Sequence, residues 1–536
     1  MIDYTIDSAH LLVREYTQVF LDNLLLEYAY NVTRRWHQPA RHGAGPVIQN
    51  DRPWEHVTYF TYSNYIVLRD PIDGLIKCWY EDLQHIPPKD RKKTAHAFKS
   101  RLCYATSEDG VHFDKPELDI CQVDGRKTNI VLGNSDYGDV HSAGIVIDPN
   151  APTEDQRFRT LFTHMWVDGQ EPKARAECAH SADGIHWKLY DQSPTMGICG
   201  SKLGDVSCIF YEPESRQFVQ NTRHMAYGIG FFNLRNPYTP IRHFDPHYPH
   251  AAAMRCQRRV YQSRSSDFIH WSDPVLVVAA DDDLDNLDES MYGMMQSTVG
   301  KSRLATCGVL RAVDNEMDVQ LLLSRDGVRW KRTNKHQPFL APRGEGHWDA
   351  HMVSLTSPPI EVDDELWFYH GGASVHHDWW MDGEEEGFDH PEVHDPSLWK
   401  YAMGVARLRK DGFASLDTSP CREGVVGTHP LLSGGTRLLI NAKCRPGGSI
   451  HVEVVDRYND PIEPCTKQNC DPVTGDSIEH TVTWKGSPEV PAGRHVRRFM
   501  RKLRFFLKDA EIFSFRFADS DDDVLASESS VRRSLG

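Results

Sequence analysis

A heptapeptide that returns four times limits the architecture of this chain more than any other feature. Ser107, Asp109, Gly110, His112 and Phe113 mark the first copy, and Ser181, Asp183, Gly184, His186 and Trp187 the second. Ser265, Asp267, Phe268, His270 and Trp271 follow, then Ser324, Asp326, Gly327, Arg329 and Trp330. A relic at Asp411, Gly412 and Phe413 keeps the turn and loses the serine and tryptophan. The serines are spaced by 74, 84 and 59 residues, too far apart for helical solenoid repeats but enough for four strands plus loops. Asp-Gly is a hairpin-turn signal, because glycine accepts positive φ and the Ser and Asp side chains bond nearby amides. The aromatic residue then opens the next strand. Five such sheets closed radially make an all-β, five-bladed β-propeller.

The sequence around each copy alternates as strands do, for example over 144–148, 206–211, 319–323 and 365–369. Helical periodicity is confined to residues 9–28, so a short N-terminal segment, 1–38, is expected to be helical or irregular. The propeller is expected over 39–428. Beyond it, alternation without the heptad over 429–518 reads as a C-terminal β-sandwich. The acidic, Ser-rich tail 519–536 reads as disordered.

Charge narrows the partners. The 536 residues carry 60 Lys and Arg against 76 Asp and Glu, a net charge of −16. Nucleic acid is therefore not expected as a partner, and the basic run at 494–504 lies within alternating strand sequence. The longest apolar run, 274–280, is far short of a membrane span. The first thirty residues show no signal-peptide pattern, so the chain as written reads as cytoplasmic, or as secreted or periplasmic if a leader was removed. Twelve cysteines are scattered without CxxC pairs, which argues against a zinc-ribbon or disulfide scaffold.

A five-bladed propeller followed by a β-sandwich resembles the glycoside hydrolases of families 43 and 32, over roughly residues 39–524. The heptad also resembles the Asp-box of sialidases, although it is one residue shorter and those propellers have six blades. The resemblance implies a site at one mouth of the central channel, with acids supplied by the first strand of several blades. Read in that way, Glu55, Asp139, Asp205, Glu289 and Asp349 occupy equivalent places. By position Glu55 stands for the base, Asp139 for the acid that sets the donor's pKa, and Asp205 where the family has its glutamate donor. Glu289 is the alternative donor. Asp139, Asp205, Glu289 and Asp349 form the expected catalytic set; Glu55, His141, Arg223, Tyr292, Trp348, His351, His370 and Trp379 form the expected substrate contacts. Glycoside cleavage needs one carboxylic acid to protonate the leaving oxygen and one carboxylate as base or nucleophile. A third acid can raise the donor's pKa by like-charge repulsion. The bland alternative is that these acids pin blade-to-blade turns.

Two matches to family 32 are set aside. Arg69, Asp70 and Pro71 spell that family's R-D-P, yet they sit at a turn paralleled by Asp148 and Pro149. Glu177 and Cys178 spell its E-C pair but lie in a strand just before a heptad. The acidic run from Asp281 to Asp288 lacks the D-x-D-x-D-G spacing of a calcium hand and reads as a solvated loop. No cofactor is required. The resemblance leaves room for a structural Ca2+ ion in the channel.

The expected function is a glycoside hydrolase acting on an oligo- or polysaccharide, with a carbohydrate as partner and homo-oligomerisation left open. A glycoside phosphorylase is the second reading, since one acid plus phosphate-binding cations would suffice, and Arg223, Arg258 and Arg259 could serve. A non-catalytic carbohydrate-binding propeller is the third.

Overall fold

The structure is a computed structural model. It describes the chain except for residues 1–10, 13–15, 44, 87–97, 134–138, 169–170, 197–205, 224–257, 282, 287, 312, 378, 387–388, 433–434, 491–500 and 519–536. The expected tail and much of the 494–504 run lie outside the described residues.

The molecule is nearly all β and of propeller type. Its strand pairings fall into successive antiparallel units, each of four strand positions. Unit I comprises Tyr65–Arg69, Ile76–His85, Phe98–Ser107 and Ile130–Leu132. Unit II comprises Asp139–Ile147, Phe158–Asp168, Glu171–Ser181 and Lys188–Leu189. Ser207–Glu212, Gln217–Thr222, Val260–Ser265 and Val275–Val278 make unit III. Glu289–Val299, Ser302–Arg311, Glu316–Ser324 and Lys331–Arg332 make unit IV. In unit V, Met352–Ser354 and Ile360–Val362 both pair with Glu365–Ala373, which pairs with Tyr401–Arg409. The outer edge of unit V is supplied by N-terminal residues Ala40–Arg41 and Ile48–Gln49, so the chain closes the last unit before it enters the first.

The heptads sit at the turn after the third strand of their units, the end opposite the first-strand start. In each, the aspartate Oδ1 accepts two backbone amides, as in Asp183 with Ile185 and His186, both at 2.8 Å. The serine hydroxyl accepts the amide of the fourth residue. That fourth residue has φ of 77°, 78°, 75° and 74° in the four copies, so the positive-φ turn is kept even where glycine is replaced by Phe268. The turn also docks on the preceding unit. Tyr369 of unit V donates to the Gly110 carbonyl at 3.0 Å, and Trp79 of unit I to that of Gly184 at 2.6 Å. Arg159 of unit II donates to the Asp267 carbonyl at 2.9 Å, and Gln262 of unit III to that of Gly327 at 3.0 Å. The heptad is therefore an inter-unit lock as well as a turn, and the link from V to I closes the ring. The relic in unit V locks elsewhere: Asp411 Oδ2 accepts the Ser514 hydroxyl at 2.9 Å, on the C-terminal sheet.

Gly184→Ala tests this lock. A Cβ there would strike the Trp79 ring, which is fully buried, and φ is +78°. We expect a loss of about 2–4 kcal/mol in urea unfolding, from the left-handed backbone plus overpacking; an unchanged midpoint would refute the lock.

Asp70 is a turn residue, as expected. Its carboxylate accepts Lys77 Nζ at 2.6 Å and Arg157 Nη1 at 2.6 Å, with no side-chain exposure. Burial raises its pKa, but the bonds from Arg157 and Lys77 outweigh that and bring it down to about 2. A depressed carboxylate stabilises the fold above its ordinary range and loses that contribution as pH falls from about 4 toward 2. The urea midpoint of the wild type should drop across that window, and Asp70→Asn should flatten the drop.

Two domain expectations are corrected. The N-terminal segment is not helical in its described part: Leu26–Tyr30 and Thr33–Trp36 are strands. Asp22 caps a turn by accepting the Leu24 amide at 3.0 Å, which breaks the helical pattern, and the following residues pair with Gly424–Thr428 and Ala414–Asp417. Those two strands in turn pair with Lys502–Ala518, so the boundary expected at 428 falls before Ala414 instead. Lys502–Ala518 also runs along the 19-residue strand Arg437–Val455 in one eight-stranded sheet with a core of its own, including Phe20, Trp484, Phe505 and Phe515.

Candidate functional site

The first strands of the units line the axis, and a bulge re-aims side chains partway along several of them. Register shifts fall between His141 and Gly144 in unit II and between Met291 and Gly293 in unit IV, with Ser142 at φ +55°. In unit I the chain departs from pairing between Tyr59 and Tyr65, with Ser63 at φ +61°. Tyr62, at the tip of this excursion, crosses the axis. Its fully buried ring packs against Gly293 and Gly308 of unit IV and lies beside Val206. Those two glycines have no side chain because the ring occupies the space. Tyr62 thus fills the space between its own excursion and the first two strands of unit IV.

Two groups of polar side chains involve the first strands of units II and IV. On one side Asn64 donates to Glu81, which also accepts His141 Nδ1 at 2.8 Å and the Ser142 amide at 3.2 Å. Asp139 precedes His141 by two residues on the same strand, so both project from one sheet face about 6–7 Å apart. Asp139 is half-buried. On the other side Tyr292 lies 6.1 Å from the Tyr62 ring and bonds His377 Nε2 at 2.8 Å. The guanidiniums of Arg223 and Arg258 lie 4.3 and 4.9 Å from the Tyr292 ring centroid. The first group is a carboxylate beside an imidazole oriented by a second carboxylate, and the second is two cations over one tyrosine ring. Such a set can move a proton and hold an anionic or hydroxyl-rich group.

Next to His377 stands a denser cluster on the unit V side. His351 Nδ1 is 3.1 Å from Glu316, and its ring stacks on His376 at 3.8 Å. His376 Nδ1 bonds Glu392 at 2.9 Å, and Trp379 stacks on its ring at 4.0 Å. Two overlapping triads here, Glu316 with His351 and His376, and His376 with His390 and Glu392, have spacings that could hold a metal ion. A third, Asp281 with Asp285 and His336, is already served by Arg332, which is ion-paired to both aspartates.

The expected acids divide. Asp139 stands at the mouth. Glu289 starts the first strand of unit IV, but by alternation it shares a face with Met291, which packs against Val260 and Val278 of unit III. Burial and the neighbouring Asp285 raise its pKa. Asp205 lies outside the described residues. Asp349 is not at the mouth. Its carboxylate is completely buried between Arg41 Nε at 2.8 Å and Arg343 Nε at 2.5 Å, on the face where His370 stacks on Trp348. Burial raises its pKa, but bonds from His370 and Arg343 and the charge of Arg41 hold it well below the carboxylate range. Trp348 and His370 go with it, away from the substrate position expected of them. Glu55 is also enclosed: Lys115 Nζ at 2.8 Å, the Tyr80 hydroxyl at 2.5 Å and the amides of Asp51 and Arg52 surround it. A carboxylate so neutralised cannot serve as base, so Glu55 is corrected to a structural role. His141 pairs with Glu81, Arg223 lies over the Tyr292 ring, and His351 and Trp379 both stack on His376. Trp380, by contrast, is buried among Tyr59, Trp399 and Tyr401 and serves loop packing.

Glu81 was missed by the sequence reading. It is one of eight successive buried positions beginning at Ile76, three of them charged, and a carboxylate inside such a strand must find partners.

No family model matches the chain, and no curated protein matches it. Solved structures do align. One is a glycosyl hydrolase from Bacteroides ovatus, 13% identical, covering 70% of this chain and 94% of its own, TM-score 0.41. An N-acetylgalactosamine deacetylase from F. plautii, in complex with blood group B trisaccharide, is 15% identical, covering 71% and 96%, TM-score 0.40. A third comes from the GH130 family of mannoside phosphorylases, which contains glycoside hydrolases that target β-1,2 mannosidic linkages in Candida mannan; it is 14% identical, covering 70% and 94%, TM-score 0.40. TM-scores below 0.5 are too low to transfer a substrate or a residue role to this chain.

Proposed function

We propose that this chain is a carbohydrate-active enzyme that cleaves a glycosidic bond at one mouth of a five-bladed propeller. The observation that carries this reading is Asp139 two residues before His141 on the first strand of unit II, with Glu81 bonded to His141. Asp139 acts as the carboxylate that activates water at the anomeric carbon. Glu81 holds His141 at Nδ1, so proton exchange with the leaving oxygen runs through Nε2. Asp205 follows Gly204 just as Asp139 follows Gly138, and by that offset it is the further candidate for the acid pair.

The paired guanidiniums favour a second reading, phosphorolysis. Arg223 and Arg258 flank Tyr292 and could bind phosphate in place of the attacking water, which leaves one acid sufficient. One experiment separates the readings. The chain is incubated with a panel of nitrophenyl glycosides and oligosaccharides, with and without inorganic phosphate. Release of free sugar without phosphate supports hydrolysis; strict phosphate dependence and a sugar phosphate product support phosphorolysis. Binding to sugars without turnover in either buffer would leave the non-catalytic propeller standing.

A further inference from the structure

We propose that Glu316, His351 and His376 form a binding site for a divalent cation of the zinc type, on the unit V side of the mouth. The site is independent of which reaction the mouth performs. One ligand atom from each residue lies within 4.8 Å of the other two. Ligands at about 2.0–2.2 Å from a tetrahedral zinc stand roughly 3.3–3.5 Å apart, so the triad closes on an ion by contracting and by turning the stacked His351 and His376 rings out of their 24° near-parallel arrangement. The three residues come from different elements: Glu316 opens the third strand of unit IV, His351 precedes the first strand of unit V, and His376 follows Glu365–Ala373. Three rigid elements converging on one point fix ligands better than a single loop does.

The outer partners point the same way. His376 Nδ1 is held by Glu392 Oε1 at 2.9 Å while the Glu392 Oε2 accepts the His376 amide at 3.1 Å, which turns Nε2 toward the triad. His351 Nε2 faces Glu345 at 3.4 Å, which leaves Nδ1 beside Glu316. A carboxylate on the far nitrogen of each histidine is the arrangement that orients imidazoles on metals and raises their basicity. Arg311 does approach Glu316, at 3.5 Å, but on Oε2, and its close bond is to Asp318 at 2.6 Å. Oε1 stays on the histidine side. Two stacked imidazoles, His351 and His376, are both buried among three carboxylates, a local charge that suits a divalent cation. Two nitrogens and one oxygen select zinc or a similar transition metal over Ca2+, which takes oxygen ligands.

The test uses the full chain, stripped with a chelator and titrated with Zn2+ by calorimetry, with metal content measured after dialysis. We expect one equivalent bound with a Kd of about 1 µM or tighter, unaffected by millimolar Ca2+. His351→Gln and His376→Gln should each weaken binding at least 100-fold, and Glu392→Gln about 10–100-fold. Variants of the exposed histidines His112, His186 and His270 should bind as the wild type does. Should a histidine variant fail to fold, Co2+ loaded into the wild type still decides, because a tetrahedral N/O site gives strong visible absorption. The absence of stoichiometric Zn2+ uptake, binding by both histidine variants as tight as that of the wild type, competition by Ca2+, or a Co2+ spectrum of the hydrated ion would each overturn the site.

Discussion

Asp349→Asn will unfold more easily than the wild type by about 3–5 kcal/mol, and whatever fraction remains folded will keep its turnover. The variant leaves Arg41 and Arg343, each mostly buried, facing an amide at a position with no side-chain exposure of its own. A buried pair broken on one side costs far more than the pair contributed, because the remaining charge has lost both water and partner. Two guanidiniums are stranded here. Arg41 belongs to the N-terminal strand that closes unit V, so its release should also loosen that closure. Thermal and urea unfolding, with activity expressed per folded molecule, measure both halves of this expectation. A variant that melts with the wild type but loses turnover would restore Asp349 to the catalytic set.

Asp139→Asn and His141→Gln should show the reverse pattern, a fall in kcat of about 10²–10⁴ at nearly constant melting temperature. Both residues are at the start of Asp139–Ile147, and neither change greatly alters volume or backbone. In the first variant the amide keeps the shape of the carboxylate and removes the proton acceptor. Replacing His141 removes the group that Glu81 orients, so the two variants should not add if they serve one step. KM should move less than kcat, since proton transfer belongs to the transition state. The substrate is the one identified in the glycoside panel. Full activity in both variants would remove the mouth from the mechanism and leave the sugar-binding reading.

The contrast between these two aspartates shows what could be read in advance. Asp139 and Asp349 occupy equivalent repeat positions, and the sequence treats them alike. Tertiary structure separates them. Asp349 is met by Arg41 from 308 positions away, and Glu55 by Lys115 from 60 positions away. Neither cation carries a local signal of its partner. Glu81 escaped notice for the same reason: its donor His141 is 60 positions away in the next unit.

The heptad lies at the other extreme. The bonds that close the turn, from its serine and aspartate side chains, all run within three positions, so the turn is written wherever the seven residues occur. Even Phe268, at φ +75° in place of glycine, takes the same shape, because its ring is buried against Phe218 at 5.0 Å and offsets the backbone cost. Such local chemistry, with the four-strand spacing, determined by itself that this chain builds repeated β-units with hairpin turns at one end. The N-terminal strands could not be read, since their pairing partners lie beyond residue 410 and an isolated amphipathic segment looks helical without them. Only the tertiary structure decided that Asp349 and Glu55 are held by cations, because Arg41 and Lys115 reach them from distant parts of the chain.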